Sequence, residues 1–169
     1  LGLTEPTARL DAEGIEFSAE KNTAGFILNG TKLFVLNAHV SDYIIVVART
    51  GTNKNDISLF TVPMETTGIQ QTLLQTIASD RQSEVHFDNV QVPETALLGT
   101  INTGWKTIEK VLQWGAIGKC SEMSGGGQKV LEMTVEYAKQ RTQFGRPIGT
   151  FQAIQHHCAN MAVDVEGSK

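Results

Sequence analysis

The chain has 169 residues, 40% of them hydrophobic, enough for one or two compact units with a buried core. Fourteen Lys and Arg against eighteen Asp and Glu leave a net charge of −4, with no basic block, which argues against nucleic acid and anionic membrane as partners. Cys120 and Cys158 form no CxxC pair, so neither a disulfide framework nor a zinc site is signalled, and a reducing, cytoplasmic setting is expected. No apolar run approaches the length of a membrane span. Since the first residue is Leu1 and a helical pattern is still running at the last, the chain is expected to be a piece of a longer protein.

Residues 14–91 read as strands, short runs of Val, Ile, Phe and Thr bounded by Gly, Asn, Asp and Pro. In residues 26–36, Asn29-Gly30 supplies the positive-φ pair of a tight hairpin turn. Further strands are expected at 15–20, 43–49, 57–62, 68–75 and 83–87. Tyr43-Ile44-Ile45-Val46-Val47-Ala48 is apolar without alternation, the pattern of a strand covered on both faces. Many short strands without interleaved helices predict an antiparallel barrel or sandwich.

Pro93 and the loop through Gly99 and Gly104 close this part, and from about Thr103 the period becomes helical. Ile108, Val111, Leu112, Met123, Val130, Leu131 and Ala138 fall on one stripe that runs to Gln140. Gly115, Gly118 and Gly125-Gly126-Gly127 each cost roughly 1 kcal/mol against Ala in an exposed helix, so they mark either a broken helix or a close approach of two helices. A second helix starts near Phe151, with Phe151, Ile154, Cys158, Met161 and Val165 on one face. The expected class is α+β: a β domain over residues 1–101, then a helical hairpin over 102–169 that forms part of a four-helix bundle.

Most chemical motifs fail on inspection. Gly115-Ala116-Ile117-Gly118-Lys119 is no phosphate loop, because position 113 is Gln and position 120 is Cys. No GxGxxG follows a strand. His156 and His157 are adjacent and cannot share a helix face, so no metal site is assigned. Glu132 and Glu136 read as a solvated helix face, and no Ser/His/Asp set assembles. What stands out is Arg141-Thr142-Gln143-Phe144-Gly145-Arg146-Pro147-Ile148-Gly149-Thr150-Phe151-Gln152 between the helices, with two cations, amides, two aromatics and turn-making residues. Such a loop can hold a planar, negatively charged cofactor, or it can be an ordinary helix-to-helix turn.

The order of residues in this loop, continued by Ala153-Ile154-Gln155-His156 and Ala159-Asn160-Met161-Ala162, closely resembles the helix-turn-helix signature of acyl-CoA dehydrogenases. Leu3-Thr4-Glu5-Pro6 resembles the family's flavin-contacting segment, Leu28-Asn29-Gly30-Thr31-Lys32 its hairpin, and Val92-Pro93, Leu97-Leu98-Gly99 and Gly104-Trp105 the exit from its middle domain. The landmarks keep family order from Leu3 to Met161. The resemblance implies an FAD enzyme in which a Glu carboxylate removes the α-proton of an acyl-CoA while the β-hydride passes to the flavin. Such chemistry needs hydrogen bonds to the thioester oxygen and a base within reach of the proton. It also implies an electron-transferring flavoprotein as acceptor and a homo- or hetero-oligomer, a dimer or tetramer. Carried over by residue, Leu3, Thr4, Phe34, Val35 and Leu36 would meet the flavin ring. Arg141, Gln143 and Phe144, with Phe151 and Gln152 nearby, would hold the diphosphate and adenosine end, in the family commonly of a neighbouring subunit's FAD. A guanidinium suits phosphate oxygens, although Arg141 also reads as a cation at a helix C-terminus.

Departures from the family pattern fall at the reactive end. Arg9-Leu10-Asp11 stands where Gly-Ser-Asp is usual, and Phe34-Val35-Leu36 where Trp-Ile-Thr is usual, so Leu36 lacks the hydroxyl expected near the flavin. Ala78, Asp80 and Gln82 replace the usual Arg, Ser and Thr. Ala116 stands at a family Arg and Gly115 at an alternative base position, so no catalytic residue is assigned within the chain. Two alternatives follow: a non-catalytic partner subunit of a hetero-oligomer, or an acyl-CoA oxidase-type variant.

Overall fold

The structure, a computed structural model, describes residues 1–169. Six strands, β1 (Ser18–Asn22), β2 (Gly25–Leu36), β3 (Tyr43–Arg49), β4 (Ile57–Pro63), β5 (Ile69–Leu74) and β6 (Gln82–Val92), are followed by α1 (Gly104–Gln140). A two-residue ladder, β7 (Thr142–Gln143) with β8 (Arg146–Pro147), then leads into α2 (Gln152–Gly167). The chain divides into two compact units, Leu1–Glu109 and Lys110–Lys169. No helix is long and apolar enough to cross a membrane.

The first unit is one six-stranded sheet in the order β4-β3-β1-β2-β6-β5. The α+β class holds, but the expected antiparallel barrel or sandwich does not, for two reasons. β1 meets β3 in parallel, at Ser18 and Arg49, which makes the sheet mixed. The outer edge of β4 is met by residues 97–98, where Phe60 bridges Leu97 and the Leu98 amide donates to the Leu59 carbonyl at 2.8 Å, so β4 does not close onto β5. The core lies on one side of the sheet around two edge-to-face pairs, Phe17 with Phe87 (centroids 5.0 Å apart) and Phe26 with Phe60 (4.9 Å).

Asn29-Gly30 forms no hairpin turn. β2 runs straight through it, and the reversal falls earlier, at Thr23-Ala24, where the Asn22 side-chain oxygen accepts the Ala24 amide at 2.9 Å. The positive φ of Gly30 serves a register shift against β6 instead, and its missing side chain makes room for Phe17, whose ring would lie 2.8 Å from a Cβ. β3 also departs from expectation, because Tyr43 and Ile45 are exposed and both faces are covered only at Val46-Val47-Ala48.

The helical period is realised in full. α1 is a single helix despite its five interior glycines, about 55 Å long at 1.5 Å per residue. Within the second unit α1 and α2 run antiparallel: Ala138 lies by Gly149, Gly127 by Val165, and Ser124 by Ser168. Close helix approach therefore accounts for Gly127 alone, whose Cβ would meet Val165 at 3.6 Å, while Gly115, Gly118, Gly125 and Gly126 face open space. The predicted face of α2 is the covered one, from Ile154 and Cys158 through Met161 to Val165. The chain supplies two helices, and a four-helix bundle is not formed by it.

Candidate functional site

The singled-out residues form two groups, one in each unit. In the first unit, residues 2–4 are stitched between β3 and β2. The Gly2 amide donates to the Ile45 carbonyl at 2.7 Å, the Val47 amide to the Gly2 carbonyl at 3.1 Å, and the Leu33 amide to the Thr4 carbonyl at 2.8 Å. These bonds bring Thr4 beside the strand that carries Phe34, Val35 and Leu36. A second register shift, between Lys32 and Val35, places Phe34 in the left-handed region at φ 55°. Phe34 is 54% exposed and Leu36 61% exposed, while Val35 between them and Leu3 on the stitched segment are buried. Leu3 and Val35 thus offer backbone rather than side chain to a ligand. Phe34 and Leu36 offer apolar surface, and Thr4, half-buried, the one side-chain hydroxyl of the group.

Beneath this face lies a feature without a sequence signal. The Lys32 ammonium is 2.5 Å from one Glu5 carboxylate oxygen and 3.4 Å from the Leu3 carbonyl. The other Glu5 oxygen accepts the amides of Glu16 (2.7 Å) and Phe17 (3.1 Å). The side chains are 0% and 3% exposed, and the ammonium lies 4.9 Å above the Phe17 ring. Burial pushes Lys32 down to about 8, with the Glu5 charge and hydrogen bond acting in the opposite direction. Lysine in a strand is ordinarily read as solvent-facing, so sequence alone gave this pair no role.

In the second unit the interhelical loop is a tight reversal. Phe144 (φ 53°) and Gly145 (φ 77°) both adopt the left-handed region at the tip of β7 and β8, the requirement of a type I′ turn. The Ile148 amide closes the loop onto the Arg141 carbonyl at 2.8 Å. Phe151 occupies the N-cap of α2, with the Arg146 guanidinium 4.2 Å above its ring and Phe144 edge-on at 6.2 Å. Phe144 itself is 92% exposed, and an apolar hollow opens between it, Phe151, Ile148 and Ile154, with Gln143 on its rim. Arg141, Gln143 and Gln152 are exposed, and neither Arg141 nor Arg146 enters any of the nine ion pairs. Two guanidinium groups outside any ion pair, that of Arg146 stacked on Phe151 at the apolar hollow, suit a planar, anionic ligand. Arg146 was given no individual role from sequence, and only its stacking on Phe151 distinguishes it.

No group of His, Cys, Asp and Glu is placed to hold a metal ion. The one buried carboxylate, Glu5, is taken up by Lys32 and two amides, so this chain presents no free buried base.

A mixed β unit followed by an antiparallel helical pair matches one family throughout. Residues 1–90 match the family model of the acyl-CoA dehydrogenase middle domain, and residues 102–169 that of the acyl-CoA dehydrogenase C-terminal domain. The chain belongs to the acyl-CoA dehydrogenase family, in agreement with the resemblance read from its motifs. It is similar to the probable acyl-CoA dehydrogenase YngJ of Bacillus subtilis, 37% identical over 171 residues, which cover 98% of this chain and 45% of that protein. Among solved structures, butyryl-CoA dehydrogenase from Megasphaera elsdenii shares 35% identity at a TM-score of 0.90, over 98% of this chain and 45% of that one. Glutaryl-CoA dehydrogenase from Mycobacterium smegmatis in complex with FADH2 shares 29% identity at a TM-score of 0.90, over 99% of this chain and 43% of that one. The chain thus spans less than half the length of these relatives.

Proposed function

We propose that this chain is the middle β domain (1–101) and the beginning of the C-terminal helical domain (102–169) of an FAD-dependent acyl-CoA dehydrogenase, which catalyses α,β-dehydrogenation of a CoA thioester. The observation that carries the reading is the interhelical loop: an uncommitted Arg141 guanidinium and an exposed apolar hollow, in a chain whose two parts match the two family domains in order.

The donor set fits FAD. In the second unit Arg141 and the amide of Gln143 suit the diphosphate, and Phe144 and Phe151 the flat adenine, of a neighbouring subunit's FAD, with Gln152 flanking them on the first turn of α2. In the first unit Phe34 and Leu36 would cover the flavin ring of the FAD held there and shield it from water, and Thr4 would supply a hydroxyl, with Leu3 and Val35 buried in the backbone beneath. Bound FAD would accept the hydride leaving the β-carbon of the acyl chain. The base that removes the α-proton, two further bundle helices and the lid-side helical domain belong to residues outside this chain. Electron-transferring flavoprotein is the proposed acceptor, the assembly a dimer or tetramer, and two free cysteines fit a cytoplasmic setting.

A second reading, a non-catalytic partner subunit, is favoured by Leu36, which presents an apolar surface with no hydrogen-bonding group toward the proposed ring site. The visible spectrum of the purified full-length protein decides between them. Bound FAD bleached anaerobically by an acyl-CoA is expected. A colourless protein that cannot take up FAD would sink the enzyme reading, and rapid reoxidation of the reduced flavin by oxygen would mark the oxidase-type variant.

A further inference from the structure

We propose that Lys32 and Glu5 are positioning residues, whose buried ion pair latches the segment bearing Thr4 to the strand bearing Phe34 and so sets the face offered to the flavin ring. The inference rests on the FAD reading above.

A single carboxylate here gathers three pieces of chain. Glu5 follows Thr4 directly, binds Lys32 of β2, and accepts the amides of Glu16 and Phe17 that lead into β1. The lysine stem is equally committed, since Gly2 packs so closely that a Cβ there would lie 3.1 Å from Lys32 Cγ. Its ammonium also reaches the Leu3 carbonyl, the residue before Thr4. Thr4 therefore lies between two backbone positions tied to Lys32, and its own carbonyl takes the Leu33 amide. Phe34 begins its left-handed excursion one residue later. A buried ion pair seldom stabilises more than an apolar pair of the same shape would, but it demands one geometry. Placing it one residue from Thr4 and two from Phe34 makes that demand at the proposed cofactor face.

The test uses the full-length protein carrying Lys32→Met, which keeps the packed stem and removes the charge. Amide hydrogen exchange and FAD titration are measured together. Exchange of the Leu33, Glu16 and Phe17 amides is expected to accelerate at least tenfold while the β3–β4 amides keep their wild-type rates, and the Kd for FAD is expected to rise at least tenfold. Unchanged exchange at Leu33, acceleration spread equally over β3 and β4, or an FAD Kd within twofold of wild type would each overturn the proposal. Should Lys32→Met not fold, Glu5→Gln, which keeps an acceptor for both amides, is read by the same measurements, with a threefold change as the threshold. Wild-type protein that takes up no FAD defeats the functional reading itself, whereas FAD uptake with an unmoved Leu33 amide defeats only the latch.

Discussion

Arg141 ends α1 with its amide bonded to the Tyr137 carbonyl and its guanidinium in no ion pair, so little of the fold depends on its side chain. Arg141→Ala is expected to change stability by less than about 0.5 kcal/mol. The same substitution should weaken FAD binding by the full-length protein about tenfold or more, the loss of charge-assisted bonds to phosphate. Equilibrium titration beside thermal denaturation separates the two effects, and a stability loss matching the affinity loss would return Arg141 to the role of a helix-end cation. Lys32 behaves differently because it is buried. Its folded value of about 8 lies below the unfolded 10.5, so between these limits the unfolded chain holds a proton that the folded chain has released. The contribution of this group to stability therefore rises with pH across that window, by at most about 1.4 kcal/mol per pH unit. Below pH 8 the cost of burying the charge is present in full. Denaturant midpoints of wild type and Lys32→Met, compared from pH 7 to 10.5, should diverge in favour of wild type as pH rises, and parallel curves would show the shift to be absent. Arg141 could be singled out from sequence because it belongs to a contiguous motif. Lys32 also stands in a family motif, but its pairing is not legible there, because its partner is 27 residues away.

Glycine shows at the level of elements how one residue type serves opposite ends. Gly30 is required where it stands, since φ is +136° and an added Cβ would meet the Phe17 ring at 2.8 Å. Gly30→Ala should destabilise the β unit by about 1–3 kcal/mol. Gly126 in α1 has nothing within 4 Å of an added Cβ and only its helix to disturb, so Gly126→Ala should stabilise the helical unit by about 1 kcal/mol. Both substitutions can be made in the 169-residue chain and followed by circular dichroism through chemical unfolding. The signs should be opposite, and a destabilising Gly126→Ala would reveal a contact made with another helix. The strands at 43–49 and 57–62 and the two helices are legible because β-branched and aromatic runs bounded by turn residues, and a period of 3.6 residues, are local properties. Asn29-Gly30 differs for the same reason: a positive-φ glycine serves a bulge as well as a turn, and Phe17 and β6 make the choice.

Along α1 the side chains of Trp114, Ile117, Met123, Met133 and Tyr137 are exposed, more apolar surface than a lone helical pair ordinarily presents. Light scattering on the 169-residue chain is expected to show self-association at micromolar concentration, together with no dehydrogenase turnover. A monomer at that concentration would contradict a face built to be covered. The sequence by itself determined the family, the succession of a β unit and a helical pair, and the loop from Arg141 to Gln152, because each is carried by contiguous motifs or short-range periodicity. Tertiary structure alone decided that the sheet stays open and mixed, that Gly30 relieves a bulge, and that Lys32 is buried against Glu5. Those outcomes depend on Leu97, Phe17 and Glu5 arriving from distant parts of the chain, and pairwise packing between remote residues leaves no local periodic trace.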